Sequence, residues 1–254
     1  MSLSVFLEVV EIRTKVASVF PFIMGVLFSL VYFHEFHSLN TVIFFLGMLL
    51  FDLTTTSINN YMDFKKAKSE TYKYQHNVIG RENISEATVR NLIFAMLAGT
   101  LLIGLYLTFV TGWLLLVMGL VVCFIGVFYT FGPIPLSRMP LGEVFSGVTM
   151  GLGIFAITIY INTIDQKVFY LALDFANGTF GLVGNLWAVC AIVLASLPLI
   201  FTIADIMLAN NLRDLEADIE NHRYTLVYYI GREAGIRLFQ GMMLASYAAF
   251  LLGL

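Results

Sequence analysis

The stretch SINNYMD, residues 57–63, stands at the end of a long apolar run, and its pattern occurs twice in the chain. Adding 151 to each number leads to NNLRD at 210–214, and the same offset carries IGRE at 79–82 onto IGRE at 230–233. Seven identities at one fixed spacing indicate an internal repeat of helix, acidic mouth and loop.

In each copy the polar side chains recur at helical spacing, so on a continuous helix they share one face. Two helix ends that present amides and carboxylates predict a divalent-cation site, because hard cations take several oxygen ligands. A solvated charged loop is the usual interpretation of a charge run, but it does not explain the repetition. The members are Asn59, Asp63 and Glu70 in the first copy, and Asn210, Asp214, Asp218 and Asn221 in the second.

The composition predicts an all-α, polytopic transmembrane helix bundle. Of the 254 residues, 59% are hydrophobic and only 12% are charged, which is too apolar for an ordinary soluble domain. Apolar runs of about twenty residues match the length that crosses a bilayer. We expect one integral membrane domain over residues 1–254, surrounded by lipid and without a nucleic-acid partner. The predicted spans are 15–34, 39–61, 89–110, 112–131, 142–161, 183–211 and 235–254.

The positive charges predict the orientation of this bundle. With the amino terminus in the cytoplasm, 13 of the 14 Lys and Arg residues fall on the cytoplasmic side of the predicted spans, and only Lys167 falls outside. By the positive-inside rule, both acidic motifs then face the cytoplasm. Residues 162–182 on the outer side are long and mixed, and are predicted as an interfacial helix.

Two further features are expected near the motifs. Asp52 lies seven residues before Asn59, so it shares that face and is predicted to point into a polar cavity, since a carboxylate at that depth is costly. The segment YTFGPIPLSRMPLGE, residues 129–143, carries three prolines and two glycines, which end one helix and form a rigid turn. Its position makes it a candidate wall of the same cavity.

A site of this kind suits a substrate with an anionic, metal-chelating head and a long apolar tail. A polyprenyl diphosphate has both, with Mg²⁺ between carboxylates and diphosphate. An allylic cation left by ionisation would be stabilised by aromatic faces and protected from water inside the bundle. The nearby cations that could neutralise the leaving diphosphate are Lys66, Arg81, Arg213 and Arg223.

The pattern Asn59-x₃-Asp63, with Asn210-x₂-Arg213-Asp214-x₃-Asp218, resembles the two diphosphate motifs of the UbiA superfamily of intramembrane prenyltransferases. Segment 129–143 is similar to the branch of that family that acts on 1,4-dihydroxy-2-naphthoate in menaquinone synthesis. The resemblance implies transfer of a polyprenyl group to this acceptor with loss of diphosphate and CO₂, giving demethylmenaquinone in the plasma membrane of a bacterium. It also implies a fold of nine helices, of which this chain holds seven and lacks the last two.

The resemblance implies roles for individual residues. Asp63, Asp214 and Asp218 would be catalytic magnesium ligands, and Arg213 would contact the diphosphate. The family carries a further Asp shortly after Asp63 that this chain lacks, and Glu70 is expected to replace it as a metal ligand. The remaining candidates for substrate binding are Asn59, Asn60, Lys66, Arg81, Tyr129, Asn210, Asn211, Asn221 and Arg223.

Two alternatives stay open at this point. Another aromatic or haem acceptor, such as 4-hydroxybenzoate, is possible within the same family, although segment 129–143 argues against it. A cytoplasm-gated membrane transporter is the alternative from another class, because internal repeats and intramembrane charges also mark transporters.

Overall fold

A computed structural model of the chain describes residues 1–129, 131 and 135–253. Thr130, Gly132 and Pro133 of the predicted turn lie outside the described residues, as does Leu254. The α-helices found are α1 (Leu3–Val9), α2 (Val16–Phe28), α3 (Ser38–Lys66), α4 (Val78–Arg81), α5 (Glu86–Thr111), α6 (Trp113–Phe128), α7 (Gly142–Ser146), α8 (Phe155–Asn162), α9 (Leu186–Arg213), α10 (Leu215–Glu220) and α11 (Leu226–Leu252). Shorter segments are the 3₁₀ turns Ile12–Lys15 and Leu136–Arg138, and the π-helical segments Ser29–Phe33, Tyr72–His76 and Gly147–Ile154.

The prediction of an all-α membrane bundle is confirmed, with differences in the length of single helices. Within the described residues, six helical stretches are long and apolar enough to cross a membrane. The predicted span 112–131 is a helix of only 16 residues, Trp113–Phe128, which rises about 24 Å and ends before segment 129–143 begins. The last span begins at Leu226, nine residues before the predicted start at 235. The prediction placed the start too late because charged residues near the beginning of this helix lower the local hydropathy.

The bundle has two distinct ends. The end that we call the motif end holds the amino-terminal helix α1 and the connections 67–85, 135–141 and 214–225, and both acidic motifs lie there. The opposite end holds the α5–α6 turn and residues 163–185. Both tryptophans of the chain, Trp113 and Trp187, begin a helix at the opposite end and are exposed.

A single glycine reverses the chain between α5 and α6. Gly112 has a φ of +113°, which a residue with a side chain rarely adopts. The buried Tyr160 hydroxyl donates to the Thr111 carbonyl at 2.7 Å, so α8 is tied to the last turn of α5. The connection between α5 and α6 is therefore short, and a hydrogen bond anchors it to α8.

Close backbone contact joins the segment Gly147–Ile154 to α9. A Cβ atom at Gly147 would lie 2.7 Å from the Ile200 carbonyl oxygen, and one at Gly151 would lie 2.7 Å from the Ile200 nitrogen. Two small residues four positions apart let helices in a membrane approach to backbone contact. This seam holds the helices that carry segment 129–143 and the second motif at one fixed distance.

The prediction of an interfacial helix at residues 162–182 is wrong. The chain forms an antiparallel hairpin there, β1 (Phe169–Asp174) with β2 (Thr179–Gly184), in which Phe169 is paired with Gly184 and Asp174 with Thr179. Asp174 accepts hydrogen bonds from the backbone nitrogens of Ala176 and Asn177 across the turn. An Asx turn at this position favours a hairpin over a helix.

The repeated glycines serve different purposes in the two copies. Gly80 lies in α4, where a Cβ atom would overlap the Lys73 carbonyl oxygen. Gly231 has open space around it but a φ of +79°, and it kinks the first turns of α11. The two copies of the repeat therefore share the glycine, but a different structural constraint requires it in each copy.

We predict that Gly80→Ala destabilises the protein by about 2 kcal/mol, since the methyl group cannot fit without moving the backbone. Thermal unfolding of the purified protein in detergent measures the loss. Gly241→Ala, in the open part of α11, is the matched control and should leave the midpoint unchanged or slightly raised. Equal midpoints for the two variants would contradict the packing described for α4.

Candidate active site

A cavity of about 1390 Å³ runs through the bundle from the motif end toward the opposite end. Its wall changes character along this path. The polar residues that line it at the motif end include Asn59, Asn60, Asp63, Tyr72, Tyr129, Asn210, Asn211, Arg213, Asp214, Asp218 and Arg223. Toward the opposite end the lining is apolar and includes Leu107, Leu115 and Ile157. The cavity thus joins a charged mouth to an apolar interior.

The first motif occupies the last two turns of α3. Asp63 is buried, and the helix ends at Lys66 because Ala67 turns to an extended ψ of 134°. Glu70 follows this break and is exposed, so its seven-residue spacing from Asp63 no longer places the two side chains on one face. The described lining of the cavity does not include Glu70, and its prediction as a metal ligand receives no support from the fold.

The second motif crosses the junction of α9 and α10. The helix bends at Asp214, yet the backbone nitrogen of Asp214 still donates to the Asn210 carbonyl, and that of Asp218 to the Asp214 carbonyl. The i, i+4 spacing is therefore preserved through the bend. Asn210, Asp214 and Asp218 line the same cavity, as their spacing predicts.

Two arginines from other segments hold Asp63. Arg138, from the turn before α7, donates from Nη2 to Asp63 Oδ1 at 2.9 Å. Arg223, from the loop after α10, places Nη1 at 3.7 Å from Asp63 Oδ2. The same guanidinium group reaches Asp218, with Nε at 3.5 Å from Oδ1. We call Asp63, Asp218, Arg138 and Arg223 the charge quartet.

The quartet is buried and only partly satisfied. Among the described residues, Asp218 Oδ2 and the Nε atoms of Arg138 and Arg223 are buried without a hydrogen-bond partner. A buried polar atom left without a partner costs about 1–3 kcal/mol. Burial raises the pKa of the Asp218 carboxyl to about 6, and the charges of Asp214 and Asp63 act in the same direction while Arg223 opposes them. Unused hydrogen-bonding capacity in a cavity wall marks a place where a ligand is accepted.

Asp214 is paired differently. Its carboxylate accepts from Arg213 at 2.7 and 2.6 Å, and this pair lies at the exposed rim of the cavity. A two-pronged contact of this kind is strong in geometry but screened by solvent. Arg213 is therefore at the mouth, where the fold allows it to meet an anionic group.

Three of the other predicted asparagines hydrogen-bond to neighbouring segments of the chain. The Asn60 amide donates to the Val9 carbonyl and so ties α1 to the motif. The Asn211 amide donates to Glu143 Oε1 at 2.8 Å. Asn221 is buried, and its Oδ1 accepts from the backbone nitrogen of Lys68, so it fixes the connection after α3.

Of three further residues predicted to bind substrate, one lines the cavity and two do not. Arg81 is not itself among the residues that line the described cavity, and it pairs at the surface with Glu8, which does line it, at 2.6 Å and with Glu82 at 3.1 Å. Lys66 stands in the last turn of α3 but does not line the cavity as described. Tyr129 does line it, and burial raises the pKa of its hydroxyl, which stays protonated and donates to the Gly142 carbonyl at 3.3 Å.

Sequence reasoning missed several residues of the site. Arg138 and Glu143, from the segment predicted as a wall, do not line the described cavity themselves, but they contact the motif residues Asp63 and Asn211, and spacing alone does not report such contacts. Tyr72 was also missed, and burial raises the pKa of its hydroxyl to about 12. A signal existed for Arg138, because it is the one cation in residues 129–143.

A buried ion pair stands deeper in the same wall. Lys15 Nζ donates to Asp52 Oδ1 at 2.8 Å and to the Thr56 hydroxyl at 2.5 Å. Ser18 donates to the other Asp52 oxygen at 2.5 Å, so both carboxylate oxygens are satisfied. The prediction that Asp52 faces the cavity agrees with this placement, and Lys15 is the partner that sequence reasoning did not assign.

The donor set fits a divalent cation. Carboxylates of Asp63, Asp214 and Asp218 and the amides of Asn59 and Asn210 line one mouth, and Asp218 Oδ2 has no partner within the described part of the chain. Oxygen donors of this type are those that Mg²⁺ takes. As the side chains stand, no group of three or more His, Cys, Asp or Glu in the described residues is close enough to hold a metal. Each of these carboxylates is in contact with an arginine instead.

Comparison with known proteins gives concordant results. A sequence model of the UbiA prenyltransferase family matches residues 18–254. The 1,4-dihydroxy-2-naphthoate octaprenyltransferase of Bacillus subtilis (strain 168) is 28% identical over 240 residues, covering 92% of this chain and 68% of that protein.

Two solved structures share the fold. A UbiA homolog from Archaeoglobus fulgidus, bound to GPP and Mg²⁺, superposes with a TM-score of 0.69 at 12% identity, over 98% of this chain and 77% of that one. A structure of digeranylgeranylglyceryl phosphate synthase superposes with a TM-score of 0.63 at 14% identity, over 97% and 75% of the two chains.

We predict that Lys15→Met destabilises the protein by about 3–5 kcal/mol, because it leaves the Asp52 charge buried without its cation. Adding Asp52→Asn removes that charge and should restore most of the loss. Thermal unfolding in detergent compares the two variants with the parent protein. A double variant no more stable than the single one would show that the charges are not coupled.

Proposed function

The chain belongs to the UbiA prenyltransferase family, and on this premise we propose that it transfers a polyprenyl group from a polyprenyl diphosphate to 1,4-dihydroxy-2-naphthoate. One observation supports the proposal most directly. A single cavity joins both aspartate motifs at its charged mouth to an apolar interior. An amphiphile with an anionic head and a long hydrocarbon tail matches that division in both chemistry and order.

The naphthoate acceptor is supported by the Bacillus subtilis relative, whose name specifies it, and by the similarity of segment 129–143. Family membership also favours a transferase over the transporter alternative. The structure of the Archaeoglobus fulgidus homolog holds a prenyl diphosphate and Mg²⁺. We infer the same classes of ligand for this chain.

The chemistry that we propose balances as follows. The allylic C–O bond of the prenyl diphosphate breaks, and the diphosphate leaves with the electron pair. A C–C bond forms at the ring carbon that bears the carboxylate, and CO₂ leaves while its bonding electrons restore the aromatic ring. The product is the quinol form of demethylmenaquinone. No external oxidant or reductant is needed for this step.

The residues of the charged mouth would bind and orient the diphosphate. Asp63, Asp214 and Asp218 would hold Mg²⁺, with Asn59 and Asn210 beside them. Mg²⁺ when bound supplies neutralisation of the diphosphate and a better leaving group. Arg213 at the rim and Arg223 in the quartet would pair with diphosphate oxygens, where charge accumulates as the C–O bond breaks. The apolar walls would keep water from the allylic cation.

We propose that the motif end faces the cytoplasm. Nearly all Lys and Arg residues lie in its connections or in the helix ends and 3₁₀ turn beside them, whereas Lys167 stands in the connection at the opposite end. The positive-inside rule assigns such an end to the cytoplasm. Water-soluble diphosphate released at the mouth would then return to the cytoplasm.

We predict that Asp63→Asn and Asp214→Asn each lower prenyl transfer by a factor of about 10² or more, the effect of losing one group that stabilises developing charge. Membranes containing each variant are supplied with polyprenyl diphosphate, 1,4-dihydroxy-2-naphthoate and Mg²⁺, and the product is measured by mass spectrometry. Arg81→Gln is the control and should retain activity, because Arg81 itself does not line the described cavity. Full activity in Asp63→Asn would overturn the assignment of the site.

The acceptor is tested separately with the parent protein. We expect 1,4-dihydroxy-2-naphthoate to be prenylated in clear preference to 4-hydroxybenzoate when both are present at equal concentration. Release of ¹⁴CO₂ from carboxyl-labelled naphthoate should match the product formed. Preferential prenylation of 4-hydroxybenzoate, or prenylation without CO₂ release, would contradict the proposed acceptor chemistry.

A further inference from the structure

We propose that Arg138 and Arg223 occupy the place of the divalent cation at Asp63, so that metal enters this site only together with the diphosphate that draws the two arginines away. The inference rests on the proposed function for its ligands, a divalent cation and a prenyl diphosphate. It concerns the order in which they bind and assigns a part to Arg138 that the motifs do not.

The contacts in the quartet carry this inference. Arg138 bonds one oxygen of Asp63, Arg223 lies against the other, and Arg223 also reaches Asp218. Both oxygens of the carboxylate in the first motif are therefore faced by guanidinium groups. A divalent cation at Asp63 would need the same oxygens and would meet two positive charges at close range.

Charge balance points in the same direction. The quartet contains two carboxylates and two guanidinium groups, so it is neutral as it stands with both carboxylates ionised. A metal ion alone would add two positive charges to a buried site that is already balanced. A diphosphate brings negative charge with the metal and offers the arginines a better partner, because they can bind its oxygens in a two-pronged manner.

The arginines are held so that they can change partners. Each has one further contact to a carbonyl, Arg138 Nη1 to Asn221 at 3.4 Å and Arg223 Nη2 to Ser137 at 3.3 Å. These bonds are long, and the Nε atom of each arginine has no hydrogen-bond partner in the described structure. Arg138 Nε is therefore available to an anion in the mouth, and both arginines can exchange their long bonds to carbonyls for shorter bonds to that anion.

The experiment measures metal binding without turnover. Mn²⁺ replaces Mg²⁺ and is followed by the electron paramagnetic resonance signal of the free ion, using purified protein in detergent. The probe for the second ligand is geranyl S-thiolodiphosphate, which does not ionise readily. Each protein is titrated with Mn²⁺ alone, and the thiolodiphosphate is then titrated at one fixed excess of Mn²⁺.

We expect Arg138→Gln to move the two affinities in opposite directions. Mn²⁺ alone should bind about tenfold more tightly than to the parent protein, because a positive charge in contact with Asp63 has been removed. The thiolodiphosphate should bind about tenfold more weakly, since one of its donors is lost. A side chain that served only to hold the fold would weaken both affinities together.

Three controls keep the outcome decisive. Arg232→Gln removes an exposed arginine that pairs with Glu216 at the same end, and should change neither affinity. Lys66→Gln removes a cation close to Asp63 that does not contact it in the described structure, and should raise Mn²⁺ affinity less than Arg138→Gln does. Arg138→Lys retains the charge and should keep Mn²⁺ binding as weak as in the parent protein, which also covers the case in which the glutamine variant does not fold.

Mn²⁺ binding to Arg138→Gln that is equal to or weaker than that of the parent protein would overturn the inference. So would tighter Mn²⁺ binding in Arg138→Lys equal to that in the glutamine variant. Neither result depends on turnover. If no prenyl transfer is found while the opposite shifts are observed, the proposed function fails and the inference stands.

Discussion

The Asp63 carboxylate, held between Arg138 and Arg223, is the interaction on which the motif end depends. It joins the last turn of α3 to the turn before α7 and to the loop after α10, three segments that are far apart in the sequence. Removing charges from water is costly, and the contacts repay that cost only when every partner is in place. The carboxylate that we propose as a metal ligand is therefore also the group that joins these loops to α3.

Much of this arrangement follows from the sequence, because two strong signals act locally. Apolar runs of bilayer length predict the helices, and four-residue spacing survives the bend at Asp214 because the backbone bonds continue through it. Other features depend on single backbone angles or on distant partners. Glu70 leaves the shared face because Ala67 ends α3, and Arg138 reaches Asp63 only through the path of the turn before α7. A pattern along one segment cannot report either event.

Residues that match in the internal repeat do not always make the same contacts. Asn60 and Asn211 match at the offset of 151, yet one bonds a main-chain carbonyl in α1 and the other bonds the carboxylate of Glu143. Gly80 is required by crowding and Gly231 by its backbone angle. The two aspartates, in contrast, meet at one cavity mouth. The shared aspartates therefore keep one position relative to the cavity, while the shared asparagine and glycine residues have different contacts in the two copies.

The placement of Trp113 and Trp187 has a spectroscopic consequence. Both indoles lie exposed at the end of the bundle away from the charged mouth, and the chain holds no third tryptophan. The tryptophan emission, excited selectively over that of the 12 tyrosines, therefore reports the depth and polarity of that end alone, and a ligand at the mouth has no indole beside it to quench. A change in emission on adding ligand would thus be a signature of motion carried through the whole length of the helices.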